Sequence, residues 1–410
     1  MPAHWTRNPV DNRHPERPGQ RHGRGWRSRL RSLVAAAAIA AGLAPLMAAP
    51  SQAVAAAQVQ EFAYVANIDD DTVSVINTAT NAVVQTINLA PSGDGPAGVA
   101  ITPDGTRAYV TNQFSRNVSV IDTVTNTVLT TIDLVAPSGA LFPVGVAITP
   151  DGSRAYVANR DSDNVSVINT ATNTVIATIN VVPSGGDGPF LLAITPDGSR
   201  VYVGNAFSDN VTVIRTSDNA ILTTIPTPLG DAPQGVVITP DGSRAYVPNF
   251  ISNNVTVINT ATNTVLTTID LVVPSGGSNP IGVAITPDGS RAYVANRGSN
   301  NVSVINTATD TVIATINLAP FGGNGPVGVA ITPDGQHAYV TNTNTDNVLV
   351  IDTTSNQVVA GPIAVRDLPF GVAIRRVVNV DRPITKSKPK VKAKHRGKVK
   401  IRNHVVQEQG

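Results

Sequence analysis

The sequence contains no cysteine among its 410 residues. Disulfides, thiolate nucleophiles and cysteine-ligated metals are therefore excluded throughout the chain. Between residues 58 and 378 lysine is also missing, and this segment holds a single glutamate, Glu61, and a single histidine, His337. Most combinations of nucleophile, general base and metal ligand cannot be assembled from so few reactive side chains. Both tryptophans, Trp5 and Trp26, precede this segment, so sugar binding by tryptophan stacking is not expected.

Charge is segregated along the chain, although the formal net charge is only +2. Residues 58–378 hold twelve arginines against 23 aspartates and Glu61, a net charge of −12. Residues 379–410 hold seven lysines and three arginines against Asp381 and Glu408, a net charge of +8. An acidic body is therefore followed by a strongly basic tail.

The N-terminal segment has the order of an export signal. An arginine-rich stretch ends at Arg31, an apolar stretch runs from Leu33 to Ala49, and small residues follow. This order predicts a signal peptide over residues 1–53, with cleavage between about residues 48 and 57. The apolar stretch, interrupted by Pro45, is shorter than the roughly 20 residues that span a bilayer. The mature form is therefore expected to be secreted or associated with the cell envelope.

The basic tail over residues 379–410 combines spaced positive charge with no aromatic residue, which is typical of a disordered segment. Two interpretations remain open, a solvated extension and an electrostatic tether to an anionic cell-wall polymer. Nucleic acid is not an expected partner, because the chain is predicted to be exported. The candidate tether residues are Lys386, Lys388, Lys390, Lys392, Lys394, Arg396, Lys398 and Lys400.

One pattern, Tyr-Val-x-Asn, recurs along residues 58–378 and accounts for every tyrosine in the protein. Neighbouring tyrosines lie 44 to 47 residues apart. A period of this length with four short strands in each repeat is typical of β-propeller blades. The seven tyrosines are Tyr64, Tyr109, Tyr156, Tyr202, Tyr246, Tyr293 and Tyr339.

The third repeat illustrates the predicted blade. Gly145–Thr149, Ser153–Ala158, Asn164–Ile168 and Thr174–Ile179 are rich in β-branched residues and predict strands a, b, c and d. A Thr-Pro-Asp-Gly sequence lies between strands a and b, where proline and glycine favour a tight turn. The aspartates of these turns are therefore assigned to turn formation, not to catalysis.

The two ends of the repeat array predict how the ring closes. The first repeat begins at strand b, Phe62–Ala66, with no strand a before it. The last complete repeat is followed by an isolated strand a, Phe370–Ile374. We expect this C-terminal strand to complete the first blade, which removes the open sheet edge. The predicted fold is an all-β, single seven-bladed β-propeller of four-stranded blades.

The repeat Gly-Val-Ala-Ile-Thr-Pro-Asp-Gly-x-x-Ala-Tyr-Val-x-Asn resembles the YVTN family of β-propeller repeats, and the resemblance covers about 320 residues. It implies the seven-bladed fold. Members of that family occur in surface-layer and other exported proteins, and related seven-bladed folds include lactonases and lyases. This chain departs from those enzymes in its small inventory of reactive residues, so the resemblance gives little information about function.

The two faces of the predicted disc differ in their loop sequences. Turns a–b and c–d are uniform, whereas the b–c and d–a loops on the opposite face, here called the variable face, are diverse. Binding residues are usually found on diverse loops of a rigid scaffold. The candidate partner-contact residues are Phe114, Phe207, Phe250, Ile251, Arg160 and Arg297. Loop residues that the repeat leaves unexplained are Asp69, Asp70, Asp94, Asp161, Asp187 and Asp231.

These observations favour an exported non-enzymatic propeller that binds a protein or cell-envelope partner through its variable face. No catalytic residue, cofactor or metal is expected on this interpretation. The enzymatic alternative is a lactonase-like or lyase-like propeller with an active site at the mouth of the central channel. That alternative would require side chains from several blades to converge there.

Overall fold

A computed structural model describes residues 58–273 and 275–379 of the chain. The predicted signal peptide and the basic tail beyond Asn379 lie outside the described residues. Seven four-stranded antiparallel sheets make up the described region, in agreement with the predicted seven-bladed propeller. No helix of this region is long and apolar enough to cross a membrane.

Each blade runs a, b, c, d from the central channel to the rim, and the strands are numbered in chain order. In blades 1 to 3 they are β1 (Gln58–Asn67), β2 (Thr72–Asn77), β3 (Ala82–Asn88); β4 (Pro96–Ile101), β5 (Arg107–Asn112), β6 (Asn117–Asp122), β7 (Thr127–Asp133); β8 (Pro143–Ile148), β9 (Arg154–Asn159), β10 (Asn164–Asn169) and β11 (Thr174–Asn180). In blades 4 and 5 they are β12 (Pro189–Ile194), β13 (Arg200–Asn205), β14 (Asn210–Arg215), β15 (Ile221–Pro226); β16 (Val237–Ile238), β17 (Arg244–Asn249), β18 (Asn254–Asn259) and β19 (Thr264–Asp270).

In blades 6 and 7 the strands are β20 (Pro280–Ile285), β21 (Arg291–Asn296), β22 (Asn301–Asn306), β23 (Thr311–Asn317); β24 (Pro326–Ile331), β25 (His337–Asn342), β26 (Asn347–Asp352) and β27 (Gln357–Ala364). The last strand is β28 (Pro369–Asn379). The d–a connections add one short helix, α1 (Val135–Ser138), and 3₁₀ turns over Val182–Ser184 and Ala319–Phe321; a third 3₁₀ turn, Arg160–Ser162, lies in a b–c loop.

The C-terminal strand β28 closes the ring as the sequence predicts. It pairs antiparallel with β1 in a sheet of order β28-β1-β2-β3, with Tyr64 opposite Ala373. The pairing continues to Gln58 opposite Asn379, beyond the length of the other inner strands. Blade 1 is therefore built from both ends of the repeat array, and within residues 58–273 and 275–379 no inner strand lacks a partner.

Hydrogen bonds from tyrosine hydroxyl groups join every blade to the next. Each tyrosine is fully buried, and its hydroxyl lies 2.5 to 2.8 Å from a carboxamide or carboxylate oxygen in the c–d turn of the following blade. The last of these bonds joins blade 7 to blade 1. The seven pairs are Tyr64–Asn126, Tyr109–Asn173, Tyr156–Asn219, Tyr202–Asn263, Tyr246–Asp310, Tyr293–Asn356 and Tyr339–Asn81.

Arginines support the same junctions, and the closing strand supplies its own. In blades 2 to 6 an arginine at the start of strand b donates to a threonine carbonyl of the next blade, as Arg107 does to Thr170 at 2.9 Å. Blade 1 has Phe62 at this position. There Arg375 of β28, only 8% exposed, donates through Nε to the Gly105 carbonyl at 2.8 Å. The closing strand therefore restores the missing contact between blades 1 and 2.

Blade 5 departs from the repeat at its inner edge. Its strand a, β16, has only two residues, because Pro248 in the neighbouring strand has no N–H to donate. In place of a regular ladder, Gln234 donates its backbone N–H to the Pro248 carbonyl at 3.1 Å. The sheet is therefore loosest beside the channel in this blade.

We expect removal of the closing strand to disrupt the protein. Deleting residues 369–410 removes β28, the Arg375 bond and the sheet partner of β1, which exposes an unpaired inner edge. The truncated protein should aggregate or melt at least about 10 °C lower by circular dichroism. Deleting only residues 380–410 is the matched control and should leave the melting temperature unchanged. Equal stability of the two truncations would contradict the closure.

The buried tyrosines predict a loss of stability at alkaline pH. Burial raises the pKa of Tyr64 to about 12 and raises the pKa of the other six tyrosines above the ordinary value. An unfolded tyrosine ionises near pH 10, so above that pH the unfolded chain has lost protons that the folded chain keeps. Between about pH 7 and pH 9 ionisation of these tyrosines should not change the stability, which should fall steadily from about pH 10 upwards.

Thermal melts across this pH range, combined with the absorbance of tyrosinate near 295 nm, test the expectation. Tyrosinate should form only together with unfolding. Reversible formation of tyrosinate in the folded protein, with a midpoint near pH 10, would contradict it.

Candidate functional site

Glycines set the width of the central channel. In six blades a glycine stands two residues after the proline that opens the inner segment, and a Cβ there would lie only 2.0 to 2.6 Å from a carbonyl oxygen of the next inner segment. The inner strands can therefore approach closely only because these side chains are absent. Blade 4 is the exception, since Leu191 occupies the position and donates its N–H to the Gln234 carbonyl at 3.1 Å.

The channel itself is narrow and apolar. It forms a cavity of about 150 Å³ lined by glycine, valine, leucine and phenylalanine. At the end that opens on the variable face, Phe190 of blade 4 and Phe370 of blade 1 meet across the axis, with ring centroids 6.4 Å apart in an edge-to-face arrangement. No acid, base or nucleophile lines this cavity, so polar chemistry must be located at a mouth of the channel, outside its walls.

The aspartates of the Pro-Asp-Gly turns surround the mouth opposite the variable face. Each accepts hydrogen bonds inside its own turn; the Asp151 carboxylate, for example, binds the Thr149 hydroxyl at 2.5 Å and the Ser153 amide at 3.0 Å. These bonds, led by the one from Thr149, hold the pKa of Asp151 below its usual range. Carboxylates held in this way are poor proton acceptors, so this mouth is the weaker candidate for catalysis.

On the variable face a repeated contact joins six of the seven b–c loops to the d–a loop of the next blade. The fourth residue of the b–c loop has positive φ, and its side-chain oxygen accepts the backbone N–H of a residue that also has positive φ. The N···O distances are 2.8 to 3.0 Å. The six pairs are Asp71–Gly95, Asp163–Gly188, Asp209–Ala232, Asn253–Asn279, Asn300–Gly325 and Asp346–Leu368.

Four of these contacts pair an aspartate of the b–c loop with an aspartate in the d–a loop, and at three of them the second carboxyl group has a shifted pKa. Asp94, Asp187 and Asp231 lie one residue before the contacted amide, and each donates its own N–H to a serine Oγ at 2.9 to 3.0 Å. Partial desolvation and the adjacent Asp71, Asp163 or Asp209 carboxylate raise the pKa of all three side chains. A carboxylate with a raised pKa is a stronger proton acceptor and a candidate general base.

The junction of blades 2 and 3 lacks this side-chain to backbone contact. Arg116 stands where the other six junctions have aspartate or asparagine, and the contacted residue is Phe142. The Phe142 ring packs edge-to-face against Phe114, with centroids 5.8 Å apart, and lies 3.9 Å below the Arg160 guanidinium. Arg160 also binds Asp161 through Nε at 2.7 Å. Phe114, Phe142 and Arg160 are therefore in contact at this junction, and Arg116 lies in the adjoining b–c loop. These four residues are here called the arginine sector.

The predicted contact residues fall into two groups. Phe114, Phe207 and Ile251 are 53%, 63% and 58% exposed and project from the b–c loops of blades 2, 4 and 5. Phe250 instead packs in the apolar cluster at the channel mouth, together with Phe142, Phe190 and Phe370. Of the six candidates only Phe114 and Arg160 lie in one cluster, so the structure divides the predicted patch.

Arg297 occupies the position of Arg160 in blade 6. Its amide donates to the Asn279 carbonyl at 3.0 Å, and burial lowers the pKa of its guanidinium. The corresponding residues of the other b–c loops form a ring around the mouth, and in all seven the backbone N–H donates to the d–a loop of the same blade. They are Ile68, Gln113, Arg160, Ala206, Phe250, Arg297 and Thr343.

Sequence reasoning missed Asp71, Asp163, Asp209 and Arg116 as site residues. The signal was present in an alignment of the seven b–c loops, in which the fourth position is acidic or asparagine in every loop except the one with Arg116. Across residues 58–273 and 275–379, no group of three or more histidine, aspartate or glutamate side chains is arranged to hold a metal ion.

The chain belongs to the lactonase family of seven-bladed β-propellers. The family model "Lactonase, 7-bladed beta-propeller" matches residues 54–223 and 217–358, which together cover nearly the whole propeller. No curated protein matches the sequence.

Several solved structures share the fold. The periplasmic gluconolactonase of Pseudomonas aeruginosa is 20% identical with a TM-score of 0.64, over 78% of this chain and 99% of that protein. A candidate 6-phosphogluconolactonase from Bacteroides fragilis is 17% identical with a TM-score of 0.63, over 77% and 98%. Hydrazine synthase from Kuenenia stuttgartiensis is 23% identical with a TM-score of 0.59, over 70% and 96%. At these identities the likeness shows the fold alone.

The expectation of a non-enzymatic scaffold is wrong, because the sequence matches a family of lactonases over most of its length. The expectation counted histidine, glutamate, lysine and cysteine, and found too few to form a cluster. It left the loop aspartates Asp94, Asp187 and Asp231 unexplained and gave them no catalytic role. Packing of neighbouring blades pairs these aspartates and changes their acidity, which a count of residue types does not reveal.

Proposed function

We propose that this protein hydrolyses a lactone at the variable-face mouth of its channel, on the sector formed by blades 2 to 4. The observation that carries the proposal is the lactonase family match over residues 54–358. Local chemistry supports this location, since the arginine sector is flanked by the Asp71–Asp94 pair on one side and the Asp163–Asp187 pair on the other. Within the propeller we also propose that the blades are of the YVTN type.

The reaction requires a base, an electrophilic environment and a substrate platform. Asp94 or Asp187, with its raised pKa, removes a proton from water as the water oxygen attacks the lactone carbonyl carbon. The resulting oxyanion is stabilised by the positive charge of Arg116 and Arg160. The ring C–O bond then breaks, the protonated carboxyl returns the proton to the alkoxide, and a hydroxy acid is released. The Phe114 and Phe142 rings offer an apolar platform for the substrate.

Replacing the two flanking aspartates tests this assignment. The D94N/D187N variant should lose at least about 100-fold in kcat for hydrolysis of δ-gluconolactone, because a positioned base contributes roughly 10²-fold or more. Activity is measured in a pH-stat as the rate above spontaneous hydrolysis, and the single variants identify which aspartate acts. Neither side chain forms the inter-blade bond made by Asp71 and Asp163, so the melting temperature should not change.

Asp231 provides the matched control. It has the same pairing, with Asp209, and a pKa raised in the same way, but it lies at the junction of blades 4 and 5, away from the arginine sector. D231N should keep kcat within about twofold of the parent protein. If D231N loses as much activity as D94N/D187N, or if the parent hydrolyses no lactone above the spontaneous rate, the proposal is wrong.

We further propose that the protein is exported and that the basic tail tethers it to an anionic polymer of the cell envelope. Strand β28 runs from the variable face to the opposite face and ends at Asn379. A tether that begins there would hold the variable face, and with it the proposed site, directed away from the surface to which the tail binds.

Salt dependence tests the tether. The mature full-length protein should bind a polyphosphate resin at low ionic strength and elute as salt rises, because displaced counterions return to the polymer. The variant that lacks residues 380–410 should flow through, because its propeller is acidic. Retention of both proteins, or retention that salt does not reduce, would contradict the tether.

A further inference from the structure

The charged residues of the propeller are divided unevenly between its two faces. The b–c loops, the d–a loops and the last residues of strands d hold thirteen aspartates against Arg116, Arg160, Arg297 and Arg366, which gives the variable face a net charge of −9. The other charged residues between residues 58 and 378 lie towards the opposite face. They are ten aspartates and Glu61 against eight arginines, a net charge of only −3.

Positive charge is scarce even beside the proposed site. Arg160 is paired with the Asp161 carboxylate at 2.7 Å. The arginine sector, which includes Arg116, is flanked by the two aspartate pairs described above. Together with Asp161, these pairs place five carboxyl groups around two guanidinium groups. An anion that approaches the mouth therefore meets a net negative charge close to the site as well as over the whole face.

Charge of one sign on one face acts on every charged molecule that approaches it. The potential of such a face extends over about 30 Å at 10 mM ionic strength but only about 10 Å at 0.1 M. It lowers the local concentration of anions and leaves that of uncharged molecules unchanged. The variable face therefore favours an uncharged ligand over an anionic ligand of the same shape, most strongly at low salt.

Lactone hydrolysis changes the charge of the ligand. Addition of water to an uncharged lactone yields a hydroxy acid, whose carboxyl group releases its proton at neutral pH because such a group ionises near about pH 4. The substrate therefore approaches the variable face without repulsion, whereas the product acquires a negative charge once it is formed.

We propose that the acidic variable face makes the protein selective for uncharged lactones and drives the carboxylate product away from the site. This inference rests on the proposed lactone hydrolysis and specifies its substrate class. Arg116 and Arg160 act on the oxyanion during the reaction, whereas the excess of aspartates determines which ligands accumulate at the mouth.

Two lactones with the same ring test the selectivity. At 10 mM ionic strength, kcat/KM for δ-gluconolactone should exceed kcat/KM for its 6-phosphate ester at least about tenfold, and this ratio should fall at least about threefold in 0.5 M salt. A preference that results from the size of the phosphate would not change with salt. Hydrolysis is measured in a pH-stat as the rate above spontaneous hydrolysis.

Product inhibition provides a second test through the sign of its salt dependence. Inhibition by gluconate should be weak at 10 mM ionic strength and become at least about threefold stronger at 0.3 M, because salt screens the repulsion. A site that attracted the carboxylate would instead bind gluconate more weakly as salt rises.

Three aspartates of the variable face can be exchanged for the asparagine that other blades have at the same position. Asp133 accepts the N–H two residues further along the chain at 2.8 Å, as Asn180 does at 3.0 Å, and Asp270 makes the same contact at 2.7 Å. Asp346 accepts an N–H of the next d–a loop at 3.0 Å, as Asn300 does at 2.8 Å. The variant D133N/D270N/D346N therefore loses three negative charges and keeps these hydrogen bonds.

This variant should raise kcat/KM for the 6-phosphate ester at least about twofold at 10 mM ionic strength and leave kcat/KM for δ-gluconolactone unchanged within about 1.3-fold. The matched control, D122N/D310N/D352N, removes three charges from the opposite face. Asparagine occupies the position of Asp122 and Asp352 in four other blades and the position of Asp310 in the other six. The control should change neither value by more than about 1.3-fold, and both variants should melt within about 2 °C of the parent.

Failure of the selectivity can be distinguished from failure of lactone hydrolysis. Faster hydrolysis of the 6-phosphate ester at low salt, a ratio that salt does not change, gluconate inhibition that weakens as salt rises, or equal effects of the two variants would each overturn the selectivity while hydrolysis itself stands. If neither lactone is hydrolysed above the spontaneous rate, the proposed hydrolysis is wrong and this inference with it.

Discussion

Closure of the ring depends on how closely seven inner strands can approach one another. Around the channel this approach is possible because six of the seven strands have glycine at the contact, where a Cβ would overlap the next carbonyl oxygen. Farther out, the tyrosine hydroxyl groups bind the next c–d turn at nearly constant distance. Each blade therefore fixes its neighbour at two radii. In blade 1 the closing strand β28 supplies the inner contact through Gly371, and Tyr64 of β1 supplies the outer one. Arg375 of β28 adds a further bond to Gly105 of blade 2.

Because the contacts between blades are uniform, residues can be substituted only where the substitution does not alter the angle between blades. Few substitutions are possible in the inner strands and in the a–b and c–d turns, since their side chains are used in packing and in turn formation. The junctions on the variable face tolerate more substitutions, because their side-chain contact is a single hydrogen bond worth about 1 kcal/mol. Loss of one such bond is tolerated by a protein of this size. The replacement of that acceptor by Arg116 therefore removes one hydrogen bond from the junction and adds a positive charge to the variable face.

Most of the fold could be predicted from local signals in the sequence. The features that were missed depend on residues in other strands or other blades. Strands b, c and d of blade 3 begin or end within two residues of the predicted bounds, because β-branched runs and Pro-Asp-Gly turns are local signals. The closing strand was also predictable from the unpaired repeat ends. The short strand β16 was missed, since its cause, Pro248, lies in the neighbouring strand. Arg375 was missed because its partner, Gly105, is 270 residues distant in sequence.

The site was harder to predict because its chemistry comes from pairs of residues in different blades. Asp187 in isolation is a common loop aspartate, and only the adjacent Asp163, 24 positions earlier, and partial desolvation make it a stronger base. A count of histidine, glutamate and cysteine residues therefore underestimates the catalytic capacity of a repeat protein. In such a protein each junction presents the same geometry, so a reactive pair can be formed at any of them by one substitution. The informative positions are then those that depart from the repeat. In this chain the fourth residue of the b–c loop is positively charged at one junction, where Arg116 replaces aspartate or asparagine.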